Sequence, residues 1–435
     1  MGRVGLCRER SIVTSKKQLK ARVRARMAKT GESYTAARRH VAGVSPARGD
    51  AGWTFRGGRH PYSAAIDSVL AHHGVEAGEP LVFLAGGGLG AGYILWEFKH
   101  DDSRHLVLGF RNQWQYYDRW MAKTLDRLGV AFEAHRTAGA KGAAKRLAEE
   151  LDAGHPCIVL PDRQVIGYWL LPPHLDGHGG HPVVAYRRDE ADVLVDDRGQ
   201  APVRVPAERM DAARARVSSY KNVLHVLRPG EAGPGRLAEA ALAGLRDCVE
   251  HLSVSSDSFS LPAWRKWSRM ITDGGNAKGW PRVFADGRGL SGALLSMWEG
   301  VEPVGMDGGN LRDLFADALD QAAPLLGLPL GEPAAEFRHL HALWHDLAEA
   351  ALPSDVPEFA RMRELTAAIR ESLLSEGTAS PEDGRELWEL RAVVDREPPV
   401  KDTGALFADL GERIAGLYRA ETEAVARLRS LLPER

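Results

Sequence analysis

Residues 178–199 read HGGHPVVAYRRDEADVLVDDRG. Two short apolar runs, one from Val183 and one from Val193, flank Asp189-Glu190-Ala191, and that pattern predicts a β-hairpin. Further strands are expected at HLVLGF and PCIVLPD, and helices at SAAIDSVLAHHG, QYYDRWMAKTLDRLG and GAAKRLAEELDAG. A hairpin among mixed helices and strands points to an α+β domain rather than a doubly wound parallel sheet. His181 opens the first strand of the hairpin, and Asp196 and Asp197 close the second. Residues at the two sequence ends of a hairpin lie side by side. An aspartate there can accept a hydrogen bond from the imidazole and fix its tautomer, which is what a general base serving a nucleophile requires. The same pair also serves in purely structural roles, and the sequence leaves both open.

Upstream, PLVFLA reads as a short buried strand followed by the glycine stretch Gly86 to Gly92. That stretch contains a G-x-G-x-x-A match, but no βαβ repeat surrounds it. A tight packing or substrate-lining turn at Gly88 and Gly90 is therefore expected instead of a nucleotide loop. Two loops carry the mixture of aromatic walls and polar handles that a small-molecule cleft needs. One follows the HLVLGF strand with Arg111, Asn112, Gln113, Trp114 and Tyr116. The other precedes His181 with Arg163, Gln164, Tyr168 and Trp169. These aromatics are equally suited to filling a core.

The 435 residues carry 57 basic and 58 acidic side chains, so the protein as a whole is not a nucleic-acid footprint. The balance is uneven. Residues 1–60 hold 15 Lys/Arg and 3 Asp/Glu, a net +12 against −13 for the remainder. Within this arm Leu19, Val23 and Met27 recur every four residues, predicting an amphipathic helix, and a second short helix is expected through about His40. A basic arm can attract an acidic carrier protein or a nucleic acid. Residues 1–50 are read as this arm, 51–230 as the α+β domain, and 231–435 as an all-helical domain, since strand patterns vanish after Pro229.

No apolar run approaches the ~20 residues of a membrane helix, and the start lacks the apolar core of a signal peptide. A cytoplasmic protein with no membrane partner is expected. Cys7, Cys157 and Cys248 are too scattered for a disulfide framework or a zinc cluster. His341, His345 and Glu349 share one helical face, but no matching ligand set accompanies them, so no metal and no cofactor are expected.

Three stretches in order, GGRHPYSAAIDSVLAHHGV, FLAGGGLGAGYILWEF and GHGGHPVVAYRRDEADVLVDD, resemble the N-terminal domain of the butirosin biosynthesis protein H family. WRKWSRMITDGGNAKGWPRVF resembles the helical domain of unknown function that commonly follows it. The resemblance implies a papain-like fold and an acyltransferase of natural-product biosynthesis. Such an enzyme moves an acyl or aminoacyl group from a carrier-protein thioester to a small-molecule amine. It further implies a cysteine at the start of the first helix as nucleophile, with a histidine and an aspartate on later strands. These last two carry over to His181 and Asp197, with Asp196 as the other candidate.

The nucleophile does not carry over, because Pro61 stands where the family commonly has cysteine. Three accounts follow. Ser63 could be activated by His181, or the His181–Asp197 pair could act as acid and base in direct transfer. Alternatively, an inactive cleft could bind a substrate, peptide or carrier. His60, Tyr62 and Ser63 would line the position of the missing cysteine, and the basic arm would dock an acyl carrier protein or tRNA. The oligomeric state is not legible.

Overall fold

The hairpin predicted around Asp189 is present in the computed structural model of the chain, which describes residues 47–48, 52–98, 103–229 and 234–433. The helices expected in the basic arm, and Cys7 with them, lie outside the described residues. Strand β5 (Val183–Asp189) pairs antiparallel with β6 (Asp192–Asp196), with Asp189 opposite Asp192 and Val184 opposite Asp196. The chain reverses at Glu190, whose φ of +51° is the left-handed turn conformation.

This hairpin belongs to a six-stranded sheet that also contains β3 (Val130–His135), β4 (Cys157–Val159), β7 (Val203–Pro206) and β8 (Leu224–Pro229). The order is β3-β8-β4-β5-β6-β7, and every neighbouring pair is antiparallel. Helix α1 (Pro61–His72) packs on the sheet at β5 and β8. An antiparallel sheet with helices on its face makes this an α+β fold. Strands β3, β7 and β8 are short and partly polar, and the sequence reading did not separate them from loops.

One predicted element has a different conformation. PLVFLA is helical, within α2 (Glu79–Ala85). A continuous apolar run of this length does not distinguish a buried strand from a buried helix. The deciding signals are Glu79 and Pro80 in the first turn, where an acidic side chain and a proline both favour a helix start.

The strand begins within the glycine stretch, so Gly90 and Gly92 are strand residues, not turn residues. β1 (Leu89–Phe98) pairs with β2 (Ser103–Arg111) in a separate two-stranded ribbon, with Gly92 opposite Gly109. A Cβ at either glycine would lie 2.2 Å from Trp114 Nε1, so the two together open a slot for that indole. Gly88 and Gly90 have packing roles of their own. Gly88 has φ +57° and lies against Phe315, while a Cβ at Gly90 would meet the Arg111 carbonyl at 2.0 Å.

From Pro234 onward every described regular element is a helix. Helices α7 (Pro262–Met270), α10 (Arg312–Leu326), α11 (Gly331–Ala351) and α14 (Thr403–Ser430) enclose a buried polar knot. Glu421 accepts hydrogen bonds from Trp264 Nε1 at 3.1 Å, Trp344 Nε1 at 2.7 Å, and Arg312 Nε and Nη2 at 2.7 and 2.8 Å. The charge is therefore fully partnered, the condition under which an ion pair is tolerated in a core. Arg312 also donates to the Gly90 carbonyl, and Tyr93 on β1 accepts from Trp280 Nε1 at 3.0 Å. The ribbon is thus tied into the helices, and sheet, ribbon and helices share one apolar core. No described helix is long and apolar enough to cross a membrane.

Candidate active site

His181 precedes β5 by two residues, and Asp197 follows β6. The hairpin register brings their side chains together: His181 Nε2 lies 2.9 Å from Asp197 Oδ1, and both residues are buried. Arg198 Nε also approaches Oδ1, at 3.4 Å, while the Tyr168 hydroxyl donates to Oδ2 at 2.9 Å. Burial works to raise the Asp197 pKa, but the interaction with His181 and the charges of Arg198 and Arg370 outweigh it and hold the carboxyl well below the usual range. Burial lowers His181, against the pull of Asp197 in the other direction.

A neutral imidazole facing an ionised carboxylate carries its hydrogen on Nε2, an assignment that follows from the hydrogen-bond partner. The lone pair is then on Nδ1. That atom is buried and has no hydrogen-bond partner among the described residues. A neutral ring oriented by a carboxylate, with its other nitrogen unoccupied, is chemically competent as a general base.

His181 itself is buried and does not line the adjacent cleft of about 510 Å³, but its neighbours Gly180 and Pro182 do, so the ring lies directly behind the cleft wall. The start of α1, with His60, Pro61 and Tyr62, also lines the cleft. Pro61 occupies the first helical turn, where its missing N–H costs nothing. His60 caps the helix, its Nδ1 2.9 Å from the Ser63 hydroxyl and 3.3 Å from the Ser63 amide. Burial, with the charges of Arg111 and Arg198, pushes the His60 pKa well below its ordinary value. Glu79 accepts from the backbone amides of Arg59 and His60 at 2.9 and 2.8 Å, which fixes the entry to α1.

Arg111, Trp114 and Arg163 also line the cleft. Arg111 is buried with its guanidinium 5.1 Å from the Tyr62 ring, and it donates to the carbonyls of Asn112, Gln113 and Trp114. Tyr168 and Trp169 stand behind the pair, Tyr168 through its bond to Asp197 and Trp169 edge-on to the His181 ring at 5.4 Å.

Other residues singled out in the sequence lie elsewhere. Ser63 is fully buried between His60 and Glu79, so its hydroxyl is not presented to His181. Asp196, pointing the other way along β6, accepts from Trp53 Nε1 at 3.1 Å, and burial pushes its pKa up to about 7. Asn112 bridges to the Gly87 carbonyl, and the Gln113 backbone turns with φ +48°. Tyr116 is half exposed beside Arg119, Gln164 sits on a separate shallow depression, and Gly88 and Gly90 are packing positions. His341 and His345 bond to Asn310 and Glu302.

Several contributors were not singled out in the sequence. Arg198 adopts a left-handed backbone, φ +59°, which turns its side chain back to donate to the carbonyls of Arg59 at 2.8 Å and Met306 at 2.7 Å. A non-glycine residue held there costs roughly 1–2 kcal/mol, and such strain concentrates at functional sites. Its position directly after Asp197 was a usable signal. Asp307, which pairs with Arg163 at 2.8 Å and borders the cleft, comes from the helical part. No local pattern near Asp307 announces that role.

No curated protein matches the chain. Residues 60–198 match the family model described as butirosin biosynthesis protein H, N-terminal. The match begins at the histidine that caps α1 and ends at Arg198, so it contains the helix start, His181 and Asp197. Residues 60–198 are thus similar to the N-terminal domain of the butirosin biosynthesis protein H family.

Proposed function

We propose that the protein is a cytoplasmic acyl or aminoacyl transferase of natural-product biosynthesis that joins a carrier-linked acyl group to a small-molecule amine, with His181 as acid and base and Asp197 as its orienting partner. The observation that carries this reading is the unpartnered Nδ1 of a neutral His181 whose Nε2 is held by Asp197. In the reaction the amine nitrogen forms a bond to the thioester carbonyl carbon and the carbon–sulfur bond breaks. The proton lost by nitrogen passes to Nδ1 and from there to the departing sulfur. Binding both reactants in one cleft makes the step effectively unimolecular, which removes the need for a covalent enzyme intermediate.

Direct transfer is favoured over a covalent route by what stands at the helix start. Pro61 has no nucleophilic atom, and Ser63 is turned into the His60–Glu79 contact. Cys157 and Cys248 are buried in the core with thiols pushed up to about 12 by burial, far from the thiolate character that nucleophilic attack requires. The same facts support a second reading, a papain-like cleft that binds a substrate, peptide or carrier without turnover. The basic arm docks the acyl carrier protein or a tRNA in either case.

The two readings separate on one experiment. Full-length protein and His181→Ala are incubated with acyl thioesters of N-acetylcysteamine and a panel of amines, and amide formation is followed by mass spectrometry. Amide formation lost in the variant supports transfer, whereas binding of an amine or thioester with no turnover in either protein supports the second reading. Docking by the arm is read from the salt dependence of carrier binding with and without residues 1–51.

A further inference from the structure

A second cavity, of about 730 Å³, is continuous with the cleft and shares part of its lining with it, Val107, Arg163, Glu299 and Met306 included. Its walls come from the loop ahead of His181, from the β1–β2 ribbon, and from helices α9 (Leu290–Val301), α12 (Pro357–Glu376) and α13 (Pro381–Arg396). The surface is largely apolar, with Trp169, Trp388, Leu175 and Ile369 among its residues. A volume in this range suits a small organic ligand.

The charges in this cavity do not balance. Arg163 is paired with Asp307, and Arg391 lies 3.8 Å from Glu299. Arg370 is different. It is only 5% exposed, its Nε has no hydrogen-bond partner, and among the described residues no carboxylate lies within ion-pair distance of it. Its guanidinium rests 5.1 Å from the Trp169 ring. The carboxylate whose field it feels, Asp197, is already engaged by His181, Tyr168 and Arg198. Two arginines therefore share one carboxylate, leaving a surplus positive charge on a buried side chain in the cavity wall. A buried guanidinium without a carboxylate is strongly disfavoured unless something else supplies the missing charge.

We propose that this cavity binds an organic anion, with a carboxylate or phosphate oxygen on Arg370 and an apolar body against Trp169 and Trp388. Arginine is suited to this role because its planar fork matches both kinds of oxyanion. The site stands whether or not the His181 pair turns over a substrate, so its test is a binding test.

Full-length protein is titrated calorimetrically with phenylbutyrate, phenylbutyl phosphate, phenylbutanol and phenylbutylamine. At least one of the two anions is expected to bind saturably, about tenfold or more tighter than the alcohol and the amine. The preference between the anions identifies the head group. Arg370→Met is expected to weaken that binding by roughly tenfold or more, and Arg370→Lys by less. Leu175→Trp, which narrows the cavity without altering a charge, should abolish binding and keeps the test decisive if Arg370→Met does not fold. The proposal fails if neither anion binds below millimolar concentration, if the alcohol binds as tightly as the acid, or if a folded Arg370→Met or Leu175→Trp protein binds like the parent.

Discussion

The Tyr168 hydroxyl donates to Asp197 on the carboxylate oxygen that His181 leaves unused, at 2.9 Å. Burial and the neighbouring Asp197 charge raise the Tyr168 pKa well above its ordinary value, which favours the phenol as a donor. Removing it in Tyr168→Phe leaves Oδ2 without this partner. Loss of a hydrogen bond to a buried charged group is expected to cost about 1–3 kcal/mol. Because the carboxylate then leans harder on the imidazole, the His181 titration followed by NMR should move upward relative to the parent.

Asp197→Asn should be more damaging than Tyr168→Phe. The amide oxygen can still accept from His181 Nε2, but Arg198 and Arg370 lose their shared negative charge. Stripping one partner from a buried ionic group costs about 3–5 kcal/mol. Urea unfolding at neutral pH checks the ranking, and a variant as stable as the parent would show that the two arginines are compensated from elsewhere.

The pH dependence of stability contains two opposing contributions. The folded pKa values of His60, His181 and His225 lie below the ordinary imidazole value, that of His225 at about 4, chiefly through burial. Below an unfolded pKa of about 6.5 the unfolded chain binds more protons at these sites, so stability falls as the pH drops through that range. Asp196, raised to about 7, works the other way: between about 4 and 7 the folded state holds the extra proton. Asp196→Asn removes this opposing proton. Between pH 5 and 6.5 its stability should therefore rise with pH more steeply than that of the parent, by about 1.4 kcal/mol per pH unit. Urea midpoints at several pH values read the slope.

Cys157 and Cys248 should stay unmodified when the native protein is treated with iodoacetamide at pH 8, and both should react once it is unfolded. Their burial and raised thiol pKa values remove both access and thiolate. Peptide mass spectrometry gives the site-by-site result. Rapid native labelling of either one would reopen a cysteine-based reaction.

In the helical part, Glu421→Ala should destabilise by about 3–5 kcal/mol, because Arg312 and the indole N–H groups of Trp264 and Trp344 all lose their acceptor. Loss of cooperativity in the melt would accompany it, since the same knot reaches Gly90 on the ribbon.

The hairpin and the pairing of His181 with one of two aspartates were legible because strand alternation and register are local properties of the chain. Pro61 at a helix start was legible for the same reason. Which aspartate makes the bond was not, because adjacent strand residues face opposite sides and only the register decides that Asp196 goes to Trp53. The strand expected at PLVFLA fails on a similar point, since an unbroken apolar run has no period to read. Arg370, Asp307 and the Met306 carbonyl were invisible for a different reason. They reach the site from the far half of the chain through tertiary packing, and nothing in their own neighbourhoods marks them.

Arg198 bonds to a carbonyl just ahead of α1 and to another 108 residues downstream, at Met306. The unit that selection acts on is accordingly longer than the segment recognisable as a family domain. Drift at residues 306 and 307 is answerable to residue 198, and recombination that grafts residues 60–198 onto a foreign helical half would inherit a histidine–aspartate pair without the backbone that holds its arginine in place. Among descendants of this gene, the two halves are expected to travel together.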